Sequence, residues 1–146
     1  MRATRSRLVA TMPSQSSTFK TGYRSPLEEK VARQLDQAGV RFAYEGVKLD
    51  YKIPSRKARY TPDFAFNKPI VIETKGWFRT AADRMKLVLV KECNPHLDIR
   101  LIFQNANKPI YKGSPTNYAT WATENGFKWA DKGTVPNEWL EELRVH

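Results

Sequence analysis

The chain has 146 residues, 40% of them apolar, which is the size and composition of one globular domain rather than of a disordered segment. Its 25 Lys and Arg against 15 Asp and Glu give a net charge of +10, the balance of a protein that meets a polyanion, nucleic acid first and an anionic membrane surface second. One cysteine and two histidines exclude an intramolecular disulfide and a cysteine zinc site and sit in no hydrolase motif, and no apolar run is long enough to span a bilayer.

Residues 1–22 are rich in Ser, Thr and Arg without helical or strand periodicity, and read as a flexible basic arm. Arg2, Arg5, Arg7, Lys20 and Arg24 face no acid within the first 24 residues, so half of the net charge lies there. An acid-free, Arg-rich start also suits an organellar transit peptide, but the lack of an amphipathic stripe favours a tail that binds nucleic acid. Residues 23–146 are then the folded domain. Ser25-Pro26-Leu27-Glu28 opens a helix, with Ser as cap, Pro at the first position and Glu three residues after the cap. Leu27, Val31, Leu35 and Ala38 form its apolar stripe, and Gly39 ends it. Glu28 has two readings here, the acid of a capping box or a group that reaches beyond the helix.

Alternation predicts strands over 40–45 and 47–53, the second with Val47, Leu49, Tyr51 and Ile53 on one face. Pro54 to Arg59 breaks the pattern with Arg56, Lys57 and Arg59, which reads either as a solvated loop or as a basic stretch where a phosphate backbone approaches. The runs Phe64 to Phe66 and Ile70 to Ile72 flank the turn-former Asn67-Lys68-Pro69, predicting an antiparallel hairpin. Pairing Phe66 with Ile70 sets Asp63 opposite Glu73, with Lys75 on the same face of the strand as Glu73. Facing carboxylates repel, so the pair needs compensation; Lys75 supplies part of it, and a hard divalent cation with oxygen ligands supplies it better. Glu-x-Lys on a strand is usually a solvated face and Pro-Asp usually opens a turn, but the two halves at a cross-strand offset favour a site.

A helix follows over about 79–93, with Ala82, Met85, Leu89 and Cys93 as its packing face, then a buried strand over 99–103 that pairs in parallel with 70–75. Asn94-Pro95 separates them, and His96 and His146 read as surface groups. The loop Tyr111 to Pro115 leads to a helix over 116–125 with Tyr118, Trp121 and Ala122 inward, a short strand at Phe127 to Trp129, and a last helix after Pro136 packed through Trp139, Leu140 and Leu143. The core order is α-β-β-β-α-β, an α/β fold with a mixed sheet flanked by helices.

Pro62-Asp63, nine residues, then Glu73-Thr74-Lys75, after a helix bearing Glu28, resembles the restriction-endonuclease-like nuclease superfamily. Arg24-Ser25-Pro26-Leu27-Glu28, Tyr60 to Phe64, Glu73 to Gly76, Leu97 to Arg100 and Tyr111 to Thr116 are similar, in order and spacing, to phage endonuclease I, a family of Holliday-junction resolvases, over residues 23–140. The resemblance implies an active site of Glu28, Asp63, Glu73 and Lys75, with two magnesium or manganese ions held by the carboxylates and the main-chain carbonyl of Thr74. It moves Glu28 from cap to metal ligand, and the two roles are compatible. It further implies an intertwined homodimer that exchanges segments near Tyr51 to Tyr60, four-way junctions and other branched DNA as partner, and 5′-phosphate products. Arg5, Arg7, Lys20, Arg24, Arg56, Lys57, Arg59 and Lys112 are the expected DNA contacts, and with no secretion signal the expected location is intracellular, the host cytoplasm if the protein is viral. Departures are Pro26 before Leu-Glu, a first segment that is alike only in being basic, and no Lys-rich tail. A sequence-specific or nicking nuclease on the same core, and a non-catalytic DNA-binding protein, are the rival expectations.

Overall fold

The computed structural model describes residues 22–53, 56–77 and 80–144. The expected basic arm, with Arg5, Arg7 and Lys20, lies outside the described residues apart from its last position, as does His146.

Helix α1 spans Pro26–Gln37. The Ser25 hydroxyl accepts the Glu28 N–H at 3.1 Å, so a side-chain oxygen satisfies one of the donors a helix start leaves open. Val31 and Leu35 are fully buried on the expected stripe, and Gly39 leaves the helix at φ +73°, where a side chain would be strained. Glu28 departs from a capping box: its carboxylate takes the N–H of Arg24, not that of Ser25, which frees it to point away from the cap.

Short strands follow: β1 (Ala43–Tyr44), β2 (Leu49–Ile53) and β3 (Arg56–Tyr60). The last corrects the loop reading of the basic run. Residues 56–60 pair antiparallel with β2 in the register Leu49↔Tyr60 to Ile53↔Arg56, with Lys57 and Arg59 outward and Tyr60 buried, so a period-2 strand hides behind charges on its solvent face. Arg59 is engaged with its cross-strand partner Asp50 at 3.1 Å. Strands β2 and β3 form a separate ribbon, and β2 packs on the helix over residues 81–93.

The main sheet has the order β1-β4-β5-β6-β7, with β4 at Phe64–Phe66, β5 at Lys68–Lys75, β6 at Asp98–Phe103 and β7 at Lys128–Ala130. Its pairings are antiparallel through β5 and parallel beyond, as expected for β5 and β6. Phe64 faces Ile72 and Ala65 faces Val71, the predicted register, but Phe66 pairs with Lys68. A bulge at Ala65/Phe66 shortens the turn and draws Lys68 and Pro69 into β5.

Helices cover both faces: α2 (Ala81–Cys93) and α3 (Tyr118–Glu124) on the side of Val71 and Leu101, α1 and α4 (Asn137–Arg144) on the side of Ile70 and Ile72. Counting main-sheet strands only, the chain runs α-β-β-β-α-β through β6, with α3, β7 and α4 after it. The phase of α2 differs from expectation. Leu87 and Val90 are its buried residues, whereas Met85 is 55% exposed and Cys93 is exposed, so Cys93 is no packing residue. Of the expected row only Leu89 packs against the core, half-buried; contact with β2 turns Leu87 and Val90 inward instead.

Candidate active site

A cleft of about 660 Å³ opens where α1 begins and β5 ends. It is lined by Glu28, Asp63, Glu73, Thr74 and Lys75, with Arg24, Trp77 and Gln104 on its rim. Each element delivers its group for a local reason. Glu28 stands in the first turn of α1, Asp63 on the short connection between β3 and β4, and Glu73 and Lys75 two residues apart on β5, which places both on one face. Glu28, Asp63 and Glu73 are each at most 7% exposed, a costly placement for three acids unless donors or cations face them.

The donors are present. Asp63 Oδ2 accepts from the Thr74 hydroxyl at 2.8 Å and the Thr74 N–H at 3.0 Å. Glu73 Oε1 accepts from the Tyr60 hydroxyl and from the Asp63 N–H at 3.2 Å, while Lys75 Nζ lies 3.4 Å from Glu73 Oε2. Glu28 Oε1 accepts from the Tyr44 hydroxyl and from the Arg24 N–H at 3.2 Å. Burial, then the neighbouring Glu73 charge, push the Asp63 carboxyl up to about 8 against the opposing Thr74 donors. Burial likewise raises Glu73, which Lys75 and the Tyr60 hydroxyl pull back down. Tyr60 and Tyr44 are raised, chiefly by burial and then by their glutamate partners, so both hydroxyls keep the proton they donate.

One residue was invisible to sequence reasoning. Carboxylate oxygens of Glu28, Glu45 and Asp63 all lie within 4.8 Å of one another, so Glu45, rather than Glu73, completes the tightest oxygen cluster among the described residues. Glu45 sits at φ +51°, and its N–H donates to the Asp63 carbonyl at 3.0 Å, which ties β1 to the Asp63 connection. Arg24 neutralises the cluster from outside, with Nε 2.8 Å from Glu45 Oε2 and a terminal nitrogen 3.9 Å from Glu28 Oε2. Nothing in the spacing of Glu45-Gly46 signals this, because only the path between α1 and β4 brings it in.

The other expected DNA contacts stand apart from this cluster. Lys57, Arg59 and Lys112 are exposed on β3 and on the 111–115 turn, and of Arg56 only the backbone in β3 is described.

Two comparisons of sequence identify the family of the chain. The profile of the family Phage endonuclease I matches residues 9–146, reaching further in both directions than the motifs and into the basic arm. The chain belongs to the phage endonuclease I family. Within the family it is 44% identical over 120 residues to the protein named Endonuclease I of Escherichia phage T7, covering 82% of this chain and 79% of that one. It is 46% identical over 110 residues to Endodeoxyribonuclease 1 of Enterobacteria phage T3, covering 75% and 72%. Family membership makes the chain an endonuclease.

Proposed function

We propose that the chain is a metal-dependent, structure-selective endodeoxyribonuclease with a restriction-endonuclease-like core, which resolves four-way (Holliday) junctions and other branched DNA by hydrolysing phosphodiester bonds in opposing strands. The observation that supports this most is the convergence of Glu28, Asp63, Glu73 and Lys75 from three separate segments in one cleft. A relative's name, Endodeoxyribonuclease 1, supports DNA as the substrate.

The donor set fits a hard cation. Carboxylate oxygens of Glu28, Glu45 and Asp63 within 4.8 Å of one another, with Glu73 on the same cleft wall and an Asp63 carboxyl pushed up by its surroundings, are what an oxygen-coordinating divalent ion relieves, and these acids offer no soft ligand. Magnesium or manganese, two ions per site held by Glu28, Asp63, Glu73 and the main-chain carbonyl of Thr74, supplies neutralisation of the scissile phosphate and an acidified water. The chain's own groups do the rest. Lys75, held at 3.4 Å by Glu73, keeps an ammonium at the cleft where charge develops on the phosphate, and the carboxylates accept the proton lost by the attacking water. In-line displacement then joins the water oxygen to phosphorus as the P–O3′ bond breaks, so the phosphate stays on the 5′ side and the 3′ oxygen takes a proton from solvent to leave as a hydroxyl. The net charge of +10 serves duplex arms rather than sequence, because phosphate contacts carry no sequence information.

The active unit is a homodimer that exchanges chain near Tyr51 to Tyr60. Strands β2 and β3 support this reading: they span that segment and pair antiparallel along five positions, and the same pairing formed between two copies would carry the exchange. The setting is the cytoplasm of the infected host.

Glu73→Ala and Lys75→Ala are expected to abolish cleavage of an immobile four-way junction in magnesium while junction binding in calcium persists, measured by gel electrophoresis; cleavage surviving either change refutes the site. Linear duplexes built from the same arms should be cut far more slowly, and equal rates would assign the chain to the sequence-specific or nicking class instead.

A further inference from the structure

The three cleft carboxylates share one pattern of support. Glu28 Oε1 takes the Tyr44 hydroxyl and the Arg24 N–H, Glu73 Oε1 takes the Tyr60 hydroxyl and the Asp63 N–H, and Asp63 Oδ2 takes the Thr74 hydroxyl and the Thr74 N–H. In every case one hydroxyl and one main-chain amide converge on a single oxygen. The second oxygens of Glu28 and Glu73 are turned toward cations, Arg24 at 3.9 Å and Lys75 at 3.4 Å. The hydroxyls come from three different strands, β1, β3 and β5. The two tyrosines are themselves fixed: Tyr44 by an edge-on contact with Tyr23 at 4.4 Å and by Phe64, Tyr60 by burial in the core cluster with Lys86 5.4 Å from its ring.

We propose that the hydroxyls of Tyr44, Tyr60 and Thr74 are positioning groups, each pinning one oxygen of a cleft carboxylate so that the other is preset for a divalent cation. This rests on the metal-dependent reading above. Three acids this close repel, and left to rotate they would swing apart; two donors on one oxygen remove that rotation and draw charge away from the shared centre before any cation arrives. The energy of ordering the ligands is thereby spent in folding rather than in binding. Outer groups of this kind typically carry about 10- to 100-fold in metal affinity. A merely structural hydroxyl, satisfied because burial demands a partner, leaves affinity unchanged when removed and lowers only stability.

The test uses the full chain without DNA, with manganese titrated by calorimetry and thermal unfolding followed in parallel in EDTA. Tyr44→Phe, Tyr60→Phe and Thr74→Val should each weaken manganese binding about tenfold or more, and Thr74→Ser, which keeps the hydroxyl, should recover most of the loss. Variants that bind as the wild type does, with only the unfolding temperature moved, overturn the proposal, as does a loss that Thr74→Ser fails to recover. Should Tyr60→Phe fold poorly, the Thr74 pair carries the test alone, because Val and Ser leave the backbone of β5 unaltered. A wild type that takes up no manganese sinks the metal-dependent reading itself, and is distinguished by that from failure of the positioning groups.

Discussion

Asp63 concentrates the electrostatic problem of this molecule. In the metal-free protein its carboxyl is pushed up to about 8, by burial first and by Glu73 second, whereas in the unfolded chain it returns to the ordinary value near 4. Between those values the folded state holds a proton that the unfolded state has lost, so stability falls as pH rises from about 4 to about 8. Asp63→Asn removes that penalty and keeps an oxygen for the Thr74 donors. It should stabilise the EDTA-treated protein at pH 8 by about 0.5–2 kcal/mol, the usual gain when a site strained for function is relaxed, and abolish metal uptake. Urea unfolding at pH 5 and pH 8 checks this: the difference between variant and wild type should be present at pH 8 and smaller at pH 5. Because a cation must displace the proton, metal affinity of the wild type should rise through the same window.

At the scale of elements, the helix farthest along the chain is held by a buried arginine. Arg100 on β6 is 1% exposed; its guanidinium bonds Glu142 of α4 at 2.8 and 3.0 Å and Asp98 at 2.8 and 3.1 Å, and lies 5.2 Å from the Trp139 ring. The Arg100 hydrogen bonds hold the Glu142 carboxyl below the usual carboxylate range, so this tie is complete above about pH 4.5 and is lost as pH falls through the lowered value. Arg100→Ala empties a large buried volume and removes the hydrogen bonds of two half-exposed carboxylates, of which Asp98 keeps Lys128 at 3.7 Å, and should cost about 2–4 kcal/mol in urea unfolding, chiefly through the cavity. Gly133 makes the second tie of this region: at φ +62°, a Cβ there would stand 2.7 Å from Leu27 Cδ1, so the C-terminal loop closes against the start of α1 only without a side chain. The stripes of α1, α3 and α4 were readable because each presents a single apolar row. The row of α2 and the strand character of 56–60 were not, since the first depends on which face meets β2 and the second is masked by Arg56, Lys57 and Arg59.

For the whole molecule, the question is which chain supplies Glu28. Within one chain Glu28, Asp63 and Glu73 already meet, and exchange at the β2–β3 connection would build the same site from the helix of one copy and the strands of another. Co-refolding Glu28→Ala with Glu73→Ala separates the cases. An exchanged heterodimer has one site doubly altered and one intact, and should recover single-strand nicking of a cruciform plasmid; without exchange every site carries one substitution and no activity returns.

The sequence by itself determined the acids of the hairpin, their register across Phe64↔Ile72, the cap of α1 and the basic balance, because each follows from local periodicity or from chemistry counted along the chain. Only the tertiary structure decided that Glu45 joins Glu28 and Asp63, that Glu28 answers to Tyr44 and Arg24 rather than to its own cap, and that Tyr60 and Thr74 brace the other carboxylates. Those contacts join residues from separate strands and loops, and their distances are set by how α1 and the β2–β3 ribbon pack on the sheet, a quantity that no local pattern encodes.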